Sequence, residues 1–237
     1  LETLLFTWNV RAMSAALLSC GLATLVVRHA GIGDLVQYTM PQPPLYGSYQ
    51  EFAIVLGAVI AIGVVLFDKT QSLLPKFDRK SPKMIVIALL SFAVIGVMAM
   101  YFPEILGNGK AGNQLTFTDL VGWDYALGLL ATKWIAVLLA LMAGAYGGRI
   151  TPSMMLGSTL ALAFAALWSI MVSPVHLGFA AFIGAVIFLG LAQKMPLTSC
   201  VFMLELSRFS VEMCFPMALA MGSALITQQI VKARFQL

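Results

Sequence analysis

The sequence predicts an all-α, polytopic membrane protein, and three observations carry that prediction. Of its 237 residues, 60% are hydrophobic and only 10% are charged, against about 25% charged in an ordinary soluble domain. Mean hydropathy is +0.93. The apolar residues fall in blocks of near-spanning length, parted by short polar or proline-bearing gaps, which is the arrangement of a chain whose solvent is lipid. About eight membrane helices of unequal length are expected, several of them broken, in a single transmembrane domain over residues 1–237.

Taken in order, Leu4–Val27 reads as a first span, with Asn9 and Arg11 near one end and Arg28–His29 closing it as snorkelling anchors. Gly31–Tyr49 carries Pro41, Pro43, Pro44 and the tyrosines Tyr38, Tyr46 and Tyr49, a composition that ends helices and suits an interfacial loop with an aromatic belt. Glu51–Phe67 is the second span, running on as an amphipathic stretch to Leu74. Five of the 14 basic residues lie within Asp68–Lys83, which puts that loop on the cytoplasmic side and the first loop outside. Met84–Met100 crosses outward. Tyr101–Asp124 is polar and Gly-rich without positive excess, so it reads as an external stretch.

Beyond Tyr125 the pattern changes. Helices are expected at 125–145, 152–171, 177–192, 196–206 and 212–231, but Gly144, Gly147, Gly148, Pro152, Pro174, Pro196 and Pro216 interrupt the apolar sequence. Non-helical backbone at membrane depth survives only where it is buried in protein or lines a wet cavity. Ala143–Pro152 and Gln193–Pro196 are therefore the places where a transport path is expected.

Composition also excludes chemistry. Ten acidic residues and two histidines, His29 and His176, are too few and too scattered for a metal hydrolase or a carboxylate-rich active site, and no nucleophile is paired with a base. No catalytic residue, metal or cofactor is expected. Cys20, Cys200 and Cys214 lack CxxC spacing and read as buried free thiols. The net charge of +4 is a cytoplasmic-loop excess, so nucleic acid is not an expected partner.

The sharpest motif is Gly147-Gly148-Arg149-Ile150-Thr151-Pro152, between two apolar helices, with Pro152 suited to the first turn of the second because its missing N–H would be unpaired there anyway. A helix that begins inside the membrane aims unsatisfied N–H groups and the positive end of its dipole at the space before it. That is an anion site built of backbone, to which the glycines give close approach and Arg149 a full charge. The same spacing equally fits a tight turn at the membrane surface, with Arg149 among headgroups. Lys194-Met195-Pro196-Leu197-Thr198 starts a second helix after polar residues. Glu205 fits either an ion or proton ligand or a partner for Arg208. Lys133, inside a span, must face protein, water or a carboxylate; both a pore-lining role and a snorkelling one near a helix end fit it. Met154 and Met155 read as packing residues.

Pro103-Glu104-Ile105-Leu106-Gly107-Asn108-Gly109, then Gly148–Pro152, then Lys194–Thr198 with Leu204-Glu205, resemble in order and spacing the second half of the CLC family of chloride channels and proton-coupled chloride transporters. Gly148–Pro152 resembles the family's GxFxP signature, with Ile150 where the family has an aromatic residue. The resemblance implies a homodimer through the helices after Lys194 and one anion pathway per subunit, built from two inverted halves. This chain corresponds to one half plus the preceding helix. It implies the amides of Arg149 and Ile150 as ligands of the central anion; together with the helix-start reading, Gly147, Gly148, Arg149, Ile150 and Thr151 are the expected anion-binding stretch, with Lys133, Pro152, Lys194 and Pro196 as pore-lining or supporting candidates. The family's gating and proton glutamates and its terminal tyrosine have no counterpart, so the chain reads as a piece of a longer protein that needs its first half to function.

The expected activity is chloride transport across the cytoplasmic membrane, as channel or H+/Cl− exchanger, with the ion as substrate and lipid as surroundings. A carrier for another anion such as fluoride, an unrelated organic-anion transporter, and a non-transporting scaffold or regulatory fragment are the alternatives.

Overall fold

The computed structural model of the chain describes residues 10–30, 38–39, 49–75, 77, 81–145, 147–207 and 213–235. The proline loop at 41–44, Tyr46, the basic residues Lys76, Arg79 and Lys80, and Arg208 lie outside them. The described residues form the helices α1 (Val10–His29), α2 (Tyr49–Ser72), α3 (Lys83–Ala99), α4 (Lys110–Phe117), α5 (Trp123–Met142), α6 (Ile150–Met171), α7 (Leu177–Ala192), α8 (Pro196–Ser207) and α9 (Cys214–Phe235), with a 3-10 turn at Pro103–Ile105. Four of them, α2, α5, α6 and α9, are long and apolar enough to cross a membrane, and α1, α3, α7 and α8 are shorter apolar helices. These are the eight the sequence predicts. The ninth, α4, falls in the stretch read as an external loop.

The centre of the molecule is α7. Every residue from Gly178 to Leu191 is buried, as a helix apolar on all sides requires, and α7 packs against α2, α4, α6, α8 and α9. His176 caps it, its Nδ1 accepting the Phe179 amide at 3.4 Å. Lipid gives helices little hydrophobic reason to associate, so close backbone approach must supply the packing energy. The α6–α7 crossing does this through glycines: a Cβ on Gly157 would collide with the Gly184 carbonyl oxygen, and a Cβ on Gly184 with that of Gly157. The α2–α9 crossing repeats the device, with Gly57 against the Ala220 carbonyl and Ser223 Oγ donating to the Ile54 carbonyl at 2.8 Å. Aromatic side chains lock α2 to both neighbours, Phe67 meeting Trp134 and Phe188 edge-on at 5.0 and 5.9 Å.

The stretch 101–124 is not a surface loop. After α3 the chain turns back, Ile105 is 3% exposed and Phe117 fully buried, and α4 packs on α6 and α7. The segment re-enters the bundle. The Tyr38 ring packs edge-on against Phe117 at 5.2 Å. Burial pushes its phenol above the ordinary value, outweighing the hydrogen bond with Asn113 that lowers it, so the group stays protonated at neutral pH.

Gly184→Leu is expected to abolish the α6–α7 crossing, seen as loss of the monodisperse peak on size exclusion. Gly184→Ala should cost about 1–3 kcal/mol by overpacking, read as a lower unfolding midpoint. Gly96→Ala, where a Cβ meets nothing within 4 Å, should stay within about 0.5 kcal/mol of the parent; equal effects at the two positions would refute the crossing.

Candidate anion site

The site is built where α5 ends and α6 begins. Gly144 adopts the left-handed conformation (φ +74°), and the Ala145 and Gly144 amides return to the carbonyls of Ala140 and Leu141, both at 3.0 Å. That double bond is a Schellman closure, and it stops α5. Helix α6 starts at Ile150, two residues earlier than the sequence reading, so Pro152 is the third residue of its first turn. The first hydrogen bond of α6 runs from the Ser153 amide to the Arg149 carbonyl at 3.1 Å. Pro152 has no N–H to leave unpaired. The amides of Arg149, Ile150 and Thr151 remain, without an acceptor among the described residues, at the positive end of the α6 dipole.

In front of them lies a cavity of about 460 Å³, many times the roughly 30 Å³ share of one water, which is room enough for a small ion with solvent. Gly147, Gly148, Arg149, Pro152 and Ser153 line one side, and Ile105, Leu106, Gly107, Asn108 and Lys133 the other. Its remaining walls are largely apolar, among them Phe67, Phe92, Ile95 and Leu141.

The opposite side is a re-entrant turn that requires glycine. Gly107 and Gly109 both have positive φ, +61° and +92°, a backbone that side chains resist. A Cβ on Gly109 would also stand 2.9 Å from Met155 Sδ and 3.3 Å from Lys133 Cε. Between them Asn108 Oδ1 accepts the Lys110 amide at 3.0 Å and so begins α4. Lys133 Nζ donates to the Ile105 carbonyl at 2.7 Å and the Gly107 carbonyl at 3.4 Å. This overturns the snorkelling reading: Lys133 is 3% exposed and sits midway along α5, about 15 Å from either end at 1.5 Å per residue.

Asn113, missed in the sequence, joins the two sides. Its buried amide donates to the Thr151 carbonyl at 3.4 Å and accepts from Ser158 Oγ at 3.0 Å. Arg149 turns outward, Nη2 donating to Gln71 Oε1 at the end of α2 at 2.6 Å. Asp68 is within electrostatic reach of Lys232, Arg149 and Lys194.

Of the predicted site residues, then, Gly147, Gly148, Arg149, Pro152 and Lys133 line one cavity, with Ile150 and Thr151 at the helix start just outside the lining. Lys194 and Pro196 do not line it. Lys194 has φ +56° and closes α7 in another Schellman arrangement, with the Met195 amide on the Gly190 carbonyl at 2.8 Å; Pro196 is the first residue of α8. Their link to the site is indirect, through Gln193 Nε2 and Ser153 Oγ at 3.4 Å. Glu205 is exposed on α8.

A bundle of spanning helices whose broken segments bring a helix N-terminus and a buried ammonium to one internal cavity defines an integral membrane protein of the broken-helix type. The chain belongs to the voltage gated chloride channel family, whose model matches residues 1–229. It is 25% identical to the H(+)/Cl(-) exchange transporter ClcA of Vibrio vulnificus, in an alignment covering 95% of this chain and 50% of the relative. It is 24% identical to that of Vibrio parahaemolyticus and 22% identical to that of Vibrio cholerae, again over 95% of this chain and 50% of each. The chain spans about half the length of these curated relatives. As an integral protein with four spans and bacterial transporters of this family as relatives, it resides in the plasma membrane.

If Lys194 serves only the turn, Lys194→Gly removes left-handed strain and should raise stability by about 0.5–1 kcal/mol, measured as the unfolding midpoint of the purified protein. A lower midpoint would give Lys194 a further role.

Proposed function

We propose that the protein transports chloride, with the cavity before α6 as part of the ion's path. The observation that supports this reading is the placement of the α6 start, whose first amides have no acceptor among the described residues, beside a cavity lined by Arg149 and Lys133, which offers an anion N–H donors and positive charge in largely apolar walls. The relatives' names, H(+)/Cl(-) exchange transporter, support chloride as the cargo and protons as the counter-ion. The ion is the substrate, and no cofactor enters the reading. Transport, rather than catalysis, is what the family supports.

Gly147, Gly148, Arg149, Ile150 and Thr151 are the proposed anion-binding stretch. Backbone amides supply partial charges that neither titrate nor need to be reorganised when the ion arrives. Asn113 fixes the direction of the helix start through the Thr151 carbonyl, and Ser153 Oγ through that of Arg149 at 2.7 Å. Arg149, exposed and held by Gln71, is suited to drawing anions toward the entrance.

The working protein is proposed to be a homodimer through α8 and α9. Leu197, Val201, Phe215, Ile226 and Ile230, each at least 57% exposed, supply an apolar face for it. The full pathway also draws on the half of the relatives' length that this chain does not span.

Liposomes loaded with chloride and carrying the full-length protein should release the ion when a potassium ionophore relieves the voltage, with opposing proton movement seen by external pH. No flux of chloride, fluoride or nitrate would refute the transport reading. Ile150→Phe should change the ratio of chloride to nitrate flux by several-fold, whereas Gly96→Ala should not.

A further inference from the structure

We infer that Lys133 is the buried counter-charge of the transported anion, a specificity-determining residue that fixes the sign of the ion the cavity accepts and offers it one ammonium N–H. This rests on the transport reading above and deepens it.

The first step is charge accounting. Lys133 and Arg149 are the charged residues among those lining the cavity, both are cationic, and no acidic residue lines it among the described residues. The two cations differ in setting. Arg149 is exposed and directed at Gln71 at the end of α2, where solvent screens it. Lys133 is 3% exposed, and its field is felt through low-dielectric walls.

The second step concerns its partners. An ammonium has three donors and no acceptor. Two of them go to the carbonyls of Ile105 and Gly107, which leaves one for the cavity that Lys133 lines. Carbonyl dipoles satisfy the N–H groups but carry no net charge. No carboxylate among the described residues pairs with Lys133, and an unpaired buried charge is among the most costly features a fold can hold. An anion on the cavity side removes that deficit.

The third step separates this from a purely mechanical role. Bracing the 105–107 turn needs hydrogen-bond donors and no charge, and a shorter neutral amide would brace it too. A full charge at mid-bilayer is excess to that task. Gly109 makes room for it, since a Cβ there would press on Lys133 Cε at 3.3 Å.

The experiment uses the full-length protein in detergent, with chloride binding followed by calorimetry and by the rise in unfolding midpoint between gluconate and chloride buffers. Lys133→Met and Lys133→Gln should weaken chloride binding at least tenfold and abolish the chloride-dependent rise. Lys133→Arg should keep binding within threefold. In gluconate, Lys133→Gln should lose less stability relative to the parent than it does in chloride, because it no longer buries an unpaired charge. If Lys133→Met does not fold, Lys133→Gln decides. Chloride affinity within threefold of the parent in a folded neutral variant would overturn the inference and leave Lys133 a brace. A parent protein that binds chloride, fluoride and nitrate not at all would instead refute the transport reading itself, so the two failures are distinguishable.

Discussion

The interaction on which the rest of the site depends is the hydrogen bond from Lys133 Nζ to the Ile105 carbonyl. Inside a bilayer, a backbone group outside regular helix must find its partner within the protein. The 102–109 segment is non-helical apart from one 3-10 turn, and it reaches the level of the middle of α5. The carbonyls of Phe102, Pro103 and Gly109 accept the amides of Ile105, Leu106 and Asn113, whereas those of Ile105 and Gly107 accept from Lys133. From that point the order spreads along the chain. The turn is held, Asn108 begins α4, α4 brings Asn113 to Thr151, and the start of α6 is fixed opposite the lysine that began the sequence of contacts.

Such a turn persists only against a bundle that does not yield, and here the glycine crossings and α7 contribute. Where side chains are absent on both faces, backbones approach to van der Waals contact and many weak dispersion terms sum to a rigid interface. Gly157 on α6, about two turns beyond the helix start, and Gly184 on α7 do this. Met155, fully buried, fills the space beneath Gly109 and Gly112, its unbranched thioether conforming to an irregular surface that a β-branched residue would not fit.

Much of this was legible in the sequence, and the remainder was hidden for physical reasons. Eight apolar helices follow from hydropathy, and Pro196 at the start of α8 follows from the chemistry of proline. The Gly147–Pro152 break was legible as a helix start facing a gap, whose polarity is fixed, although composition could not choose between membrane depth and membrane surface. Helix α4 was not legible: KAGNQLTF is short and of near-neutral hydropathy, so it reads as loop, and what buries it is a pair of long-range contacts from Asn113 to α6. That Lys194 closes α7 was not legible, because positive φ at a lysine leaves no compositional trace. For Lys133 the charge and the span were legible but not the partner, which lies 28 residues away in a turn that only the fold brings back.

A transport site must bind its ion well enough to admit it and weakly enough to let it go. Three backbone amides and a helix dipole meet the second condition, since each partial charge contributes modestly and none forms a fixed ion pair. Arg149 would threaten it if it faced inward, because a full guanidinium on the ion is a strong, charge-assisted partner. The structure turns that side chain away to Gln71. The one full charge retained inside, Lys133, is already engaged by two carbonyls, so most of its hydrogen-bonding capacity is spent before an ion arrives. What it keeps is long-range positive potential with a single donor. On the proposed anion reading, the cavity would select the sign of its occupant without holding that occupant tightly, which is the compromise a pathway requires and a permanent binding site does not.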